Sequence, residues 1–452
     1  MIFSNTSEAR LALWTGAAGL VVGAAIVGVV AMARRPHAAD PIHASELAPD
    51  PAALHYRHAT GTTADVTADT ASTIAALEAR VQTMASPFDY AELADLYFRR
   101  AKLDGDPEGY QTAEAMARRS LDLLRTPNPA VLTLAKLADV RHDFRDAIDL
   151  AHQHKRRSAG AQIIIATAHL ALGELSAAGE AAQAALAIKP DSAGYLMRAL
   201  VMQAQGRDAE AAFDFANAAR TEEPGDLQGS AHLRALWGRF LLRRGEPAGA
   251  ALLLDEALRI VPELALALAL RGELALRSGH PADAARRFEQ AFIASRQVRY
   301  LIDQARAQEL AGDLAGADAL RTQVESIVRG ELGEGGLGHR LDLAEVLVDR
   351  GRAAELPEAV ALARQEVTRR GSFEARFQLA RALARSGARD EATHEVQAAL
   401  ASGAHEAQLY ELAAQLEAQR GNAAGAALYT RLADRLDPGS SGWRKLGLGQ
   451  AR

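Results

Sequence analysis

Two consecutive stretches of this chain superimpose when written one above the other. AHLRALWGRFLLRRGEPAGAALLLDEALRIVPEL (231–264) stands over ALALALRGELALRSGHPADAARRFEQAFIASRQV (265–298). Gly238 falls over Gly272, Gly245 over Gly279, Pro247 over Pro281, Ala250 over Ala284, Leu254 over Phe288 and Ala257 over Ala291. The period is 34 residues, which is long enough for two antiparallel helices and a tight turn. The first helix needs a small residue where the second crosses it, supplied by Gly238 or Gly272. The turn needs positive φ, hence Gly245 and Gly279. The second helix needs small residues facing back, the paired alanines. One such hairpin cannot bury its own apolar face, so neighbours must stack.

The pattern extends in both directions. Turn glycines stand at Gly173, Gly206, Gly245, Gly279, Gly312, Gly351, Gly387 and Gly421, spaced 33, 39, 34, 33, 39, 36 and 34 residues apart. Seven residues before each is Ala166, Ala199, Gly238, Gly272, Ala305, Ala344, Ala380 or Ala414. The longer spacings place insertions at Thr221–Gly229 and Gly330–Gly338. Pro190, Pro262 and Pro438 fall where the second helix should stop. Before the regular part, Phe88 to Arg125 reads as an irregular first repeat, its turn lengthened by Asp104-Gly105-Asp106-Pro107, and Asn128 to Arg157 as a second. A chain of 452 residues with 49% apolar but only 5% aromatic residues suits stacked helices better than a sandwich or barrel.

Near the N-terminus, Leu11 to Ala33 is an unbroken run without charge, LALWTGAAGLVVGAAIVGVVAMA. As a helix it spans about 34 Å, enough for a bilayer core. Trp14 would mark one interface, and Arg34 and Arg35 the other. The segment is read as an uncleaved transmembrane anchor; the rival is a cleaved signal peptide ending at Ala31-Met32-Ala33. Gly19 and Gly23 have the spacing that lets membrane helices pair. Residues 34–73 are rich in Ala, Asp, Thr, Pro and His, with no usable apolar period, and read as a disordered tether. The expected organisation is therefore a tail at 1–10, the anchor at 11–33, the tether at 34–73, a repeat array at 74–438 and a second tail at 439–452.

These residues resemble the tetratricopeptide repeat (TPR) family over Phe88 to Pro438, and the order of elements is similar to bacterial anchored or exported members of it. The resemblance implies an all-α fold, a right-handed α-solenoid of about ten helix-turn-helix repeats, whose concave face holds a peptide or partner helix. Position 24 of the repeat, usually aromatic in the family, is Arg321 and Thr430 in two repeats. Carrying over the family's groove positions 2, 5, 9, 12 and 13 gives Arg239, Arg243, Glu273, Arg277, Arg299, Arg306, Arg381 and Arg385. Such an arginine-rich wall would grip carboxylates of an acidic segment or chain terminus. The alternative is a solvated face whose arginines pair with Glu273, Glu309 and Glu345. The chaperone-binding subgroup has Asn at position 9, which here holds Arg239, Glu273, Arg306 and Arg381.

No chemistry-bearing motif competes with that reading. Gly333-Glu334-Gly335-Gly336-Leu337-Gly338 fits a dinucleotide string but follows a predicted helix rather than a strand. His152, His154, Lys155, Arg156 and Arg157 complement a helix C-terminus. No zinc-protease, phosphate-loop or serine-hydrolase string occurs, and cysteine is absent. The net charge of −6 gives no basic surplus for nucleic acid. The expectation is a scaffold at the bacterial inner membrane, without catalysis, cofactor or metal, binding a protein or peptide partner. Arg34 and Arg35 favour the array on the cytoplasmic side, whereas the tether favours the periplasmic side, to which the reading leans. Alternatives are an accessory or regulatory subunit of an envelope enzyme or assembly complex, or an exported soluble protein.

Overall fold

A computed structural model describes residues 55–58, 63–104, 107–154, 158–333 and 339–438. All of them belong to the unit Leu47–Arg452. The anchor segment Leu11–Ala33 and the tail 439–452 lie outside the described residues, as do 34–54 and 59–62 of the tether. Among the described residues no helix is long and apolar enough to cross a membrane.

The described residues form helices joined by short loops, with no strand among them. Helix α1 (Thr63–Thr83) leads into ten hairpins. The first five are α2 (Pro87–Asp104) with α3 (Pro107–Leu123), α4 (Ala130–Val140) with α5 (Phe144–Gln153), α6 (Ala159–Ala171) with α7 (Leu175–Ile188), α8 (Ser192–Ala204) with α9 (Asp208–Arg220), and α10 (Leu227–Arg243) with α11 (Pro247–Ile260). The last five are α12 (Ala265–Arg277) with α13 (Pro281–Ser295), α14 (Val298–Leu310) with α15 (Leu314–Gly333), α16 (Arg340–Arg350) with α17 (Leu356–Arg370), α18 (Phe373–Ser386) with α19 (Arg389–Ala401), and α20 (Ala407–Gln419) with α21 (Ala423–Leu436). Each hairpin packs on its sequential neighbours, as a solenoid must. Helices α7, α11 and α21 each stop two residues before Pro190, Pro262 and Pro438.

The small positions do what close crossing demands. A Cβ on Gly238 would lie 3.2 Å from Leu254 Cγ, and one on Gly272 3.0 Å from Phe288 Cε1. The alanines at the same position, from Ala166 to Ala414, are buried. The eight turn glycines have φ between +66° and +91°. At seven of them the turn closes with the paired hydrogen bonds of a Schellman motif; at Gly279, His280 N–H bonds to Ala275 O at 2.9 Å and Gly279 N–H to Leu276 O at 3.0 Å. Gly351 instead makes the single bond from its N–H to Leu347 O. The second hairpin turns the same way without glycine: His142 takes φ +59°, and Asp143 N–H reaches Ala138 O. The core is a succession of apolar clusters, in one of which Phe215 stacks on Trp237 and tilts against Phe240.

Two differences from the expectation stand out. Helix α1 begins at Thr63, eleven residues before Ile74, the first buried apolar position among its described side chains. Its buried stripe is Ile74, Leu77 and Val81, and only this half has a helical period to read. The upstream half propagates from it through good helix formers such as Ala68 and Ala71. The position-24 departure Arg321 is buried and ion-paired to Glu309, so a polar pair fills the usual aromatic site. Thr430 is exposed.

The array also meets itself. Arg369 Nη2 donates to Arg141 O at 2.9 Å and to Asp143 at 2.6 Å. A Cβ on Gly173 would sit 3.7 Å from Phe373 N, and His405 N–H bonds to Ala204 O at 3.3 Å. Arg244 Nη1 donates to Leu436 O, and Arg277 pairs with Asp437. The turns of hairpins two to five and the end of α12 thus face the loops and end of hairpins eight to ten along one seam.

Candidate functional site

The candidate wall is built from the first helix of hairpins five to nine. Residues three and four apart on such a helix share a face. That register puts Arg239 with Arg243, Glu273 with Arg277, Arg299 with Asp303 and Arg306, Glu345 with Asp349, and Gln378 with Arg381 and Arg385 on the inner side.

Three neighbouring helices lock their charges together. Arg299 donates to Asp303 at 3.1 Å and across to Glu345 at 2.8 Å. Arg306 pairs with Glu345 and, at 2.9 Å, with Asp349. Arg381 donates to Asp349 at 2.7 Å and to Gln378 at 2.9 Å, and Gln378 donates to Glu345 at 3.1 Å. Its centre is buried at Arg306, Glu345 and Arg381, while Arg299 is exposed at its edge. Burial pushes the Glu345 carboxyl upward, but Arg299, Arg306 and Arg381 together hold it well below the usual carboxylate range. Burial likewise disfavours charge on Arg306, and Asp349 and Glu345 overcome it. These charges are a cross-repeat fastening with its own acceptors.

A second group is also internally satisfied. Arg277 lies between Glu273, at 2.7 Å, and Asp437, at 2.6 Å. Arg385, half-buried at the end of α18, packs over Gly351: a Cβ there would overlap its guanidinium. Arg243 approaches Glu406 at 3.8 Å, with its Nε buried and without a hydrogen bond.

Arg239 is different. It makes no hydrogen bond or ion pair among the described residues, and its buried Nε has no acceptor. Its side chain is nevertheless partly open to solvent. Burial and the adjacent Arg243 lower it to about 10, while Glu406, Glu273 and Glu374 pull the other way. Those neighbours come from hairpins five, six, nine and ten, so Arg239 looks into space enclosed by the coil rather than out from one repeat. His232, upstream on the same helix, is lowered to about 4 by burial and by Lys102 and Arg239. Across from them stands Glu374, which is exposed to solvent. The inner space thus holds one unbalanced guanidinium beside a histidine that resists carrying charge.

The wall residues named from sequence therefore divide. Arg299, Arg306 and Arg381 are brought together in one network, Glu273 and Arg277 in another, and Arg239 and Arg243 stand apart near the middle. The sequence does not single out Asp303, Asp349 or Asp437. Asp303 and Asp349 carry a local signal, lying four residues after Arg299 and Glu345; Asp437 carries none. Among the described residues no cluster of three or more potential metal ligands occurs.

No protein family profile and no curated protein matches the sequence. Among solved structures the chain is similar to yeast Tom70, with 13% identity and a TM-score of 0.38 over 84% of this chain and 91% of that one. It is similar to the human IFIT1 dimer with PPP-AAAA, with 15% identity and a TM-score of 0.46 over 82% and 88%. It is also similar to a tetratricopeptide repeat protein from Parabacteroides merdae, with 16% identity and a TM-score of 0.32 over 64% and 98%.

Proposed function

We propose that this protein is a non-catalytic scaffold that holds an acidic segment of a protein partner on the inner wall of its coil, beside Arg239 and Arg243. The observation that carries the reading is Arg239: a guanidinium with no acceptor, reached by solvent, inside a wall where Arg277, Arg299, Arg306 and Arg381 are ion-paired. A carboxylate placed there would form a charge-assisted, bidentate hydrogen bond in a partly desolvated setting, where such bonds are strongest. A protein partner is favoured over nucleic acid because the net charge is −6 and Arg277, Arg299, Arg306 and Arg381 already have acceptors. Leu11–Ala33 would hold the scaffold at the bacterial inner membrane, with the array on the periplasmic side.

The test is crosslinking of full-length protein in native membranes, compared with Arg239→Glu/Arg243→Glu. The expected result is loss of a defined set of partners from the reversed variant while the array keeps its thermal midpoint. Capture of the same set by both proteins would rule out the inner wall as the site. A reporter at the C-terminus reads the side of the membrane in the same strain.

A further inference from the structure

The insertion between hairpins four and five has a ligand. Residues 55–58, four residues of the expected tether, lie against it. Tyr56 is buried, 5% exposed, among Leu227, Ala231, Ile260, Val261 and Leu264. Its N–H donates to Glu256 Oε1 at 2.8 Å. Its hydroxyl accepts from Gly225 N–H at 3.2 Å and points to Glu223 O at 3.5 Å. His55 contacts Glu256 at 3.2 Å, and the His58 ring nitrogen lies 3.4 Å from Glu222 O. Arg234, 1% exposed and held by Glu222, forms one wall of the slot, 5.8 Å from the ring centroid.

This contact gives the insertion in the Gly206–Gly245 spacing a physical account: it lengthens the loop to 221–226 and adds a turn to the start of α10, which brings Leu227 and Ala231 to the ring. Glu222, Glu223 and Gly225, which grip Tyr56 and His58, all lie in the lengthened loop. We infer that this insertion is a binding site for a tyrosine-bearing extended segment, and that the chain's own residues 55–58 are its ligand. The recognition is specific in chemistry: an aromatic ring fills the apolar slot, its hydroxyl caps a loop N–H, and one carboxylate takes the backbone N–H. The inference is independent of whether a partner binds at Arg239.

Arg57 is exposed between the two anchoring side chains and is the sole Lys or Arg between Arg35 and Arg80. A protease must lift the segment from the slot to cut there. In the full-length protein, trypsin is expected to cut after Arg57 at least tenfold faster in Tyr56→Ala than in wild type, with cleavage elsewhere unchanged. Glu256→Gln, which keeps the apolar slot, should raise the rate about threefold. A labelled peptide of residues 52–61 should bind full-length Tyr56→Ala saturably. It should bind wild type at least tenfold more weakly, because the tethered segment competes at an effective concentration on the order of millimolar. Equal cleavage in wild type and Tyr56→Ala, or equal peptide binding to the two, would overturn the inference. A failure of the Arg239 experiment would leave these readouts untouched.

Discussion

Arg277 and Asp437, 160 positions apart, are joined by two hydrogen bonds, Nη1 to Oδ1 at 2.6 Å and Nη2 to Oδ2 at 3.0 Å. Both side chains are almost wholly buried. Removing one partner of such a pair strands the other, which costs about 3–5 kcal/mol in general. Arg277 keeps Glu273, so Asp437→Ala should cost less, about 2–3 kcal/mol. Hydrogen exchange should then rise both in α21 and at the Gly245 turn. Faster exchange confined to α21 would show that the seam transmits nothing to hairpins five and six.

The two kinds of wall arginine should separate in stability. Arg306→Gln removes the arginine that bridges Glu345 and Asp349, leaving Glu345 to Arg299 and Asp349 to Arg381, and is expected to cost about 2–3 kcal/mol. Arg239→Gln removes a buried charge that has no acceptor. It should be neutral or raise stability by up to about 1 kcal/mol. Urea midpoints of the two variants decide the matter, and similar losses at both sites would show that Arg239 has a stabilising partner.

Acid should loosen the array through its histidines. His142 is lowered to about 4 by burial, then by Arg370 and His339, and His232 to about 4 by burial, Lys102 and Arg239. The unfolded chain takes up these protons near pH 6.5, before the folded chain does. The contribution of these two histidines should therefore be flat above about pH 7 and fall between pH 6.5 and 4, against the opposite trend of Asp139, which burial raises to about 6. Each group contributes at most about 1.4 kcal/mol per pH unit. Thermal midpoints across that window should lose part of their slope in His142→Gly and in His232→Gln.

Two glycines seven residues apart should fail for opposite reasons. Gly272→Leu forces a side chain onto the Phe288 ring and should cost about 1–3 kcal/mol through overpacking. Gly279 has open space where a Cβ would go, but φ is +77°. Gly279→Ala should cost about 1–2 kcal/mol by backbone conformation alone. Gly279→Asn should recover part of that loss, whereas Gly272→Asn should recover nothing.

The legible part of the chain is whatever repeats locally. Gly238 and Gly272 announce their crossings because the contact partners, Leu254 and Phe288, lie within the same hairpin. The turn at His142 escapes because the left-handed residue there is not glycine. The wall arginines fall on the right helix face, yet their acceptors come from the neighbouring hairpins, as with Arg306 and Asp349. No period reports a charge match of that kind. The Tyr56 slot is hidden by two ordinary features, a polar stretch and a long loop, whose meaning appears only when the fold brings residues 56 and 222 together. Asp437 and His405 belong to the same class, since one contact made once leaves no pattern.

An open stack of hairpins can gain or lose a unit by duplication or deletion, because each unit needs only the next. Here Asp143 is matched to Arg369, Ala204 to His405 and Arg277 to Asp437. Inserting one hairpin between them would displace every later partner by a whole unit and leave buried charges facing strangers. The number of units between the two edges is thereby frozen, and sequence change in this lineage should accumulate as substitutions and loop edits rather than as altered repeat count.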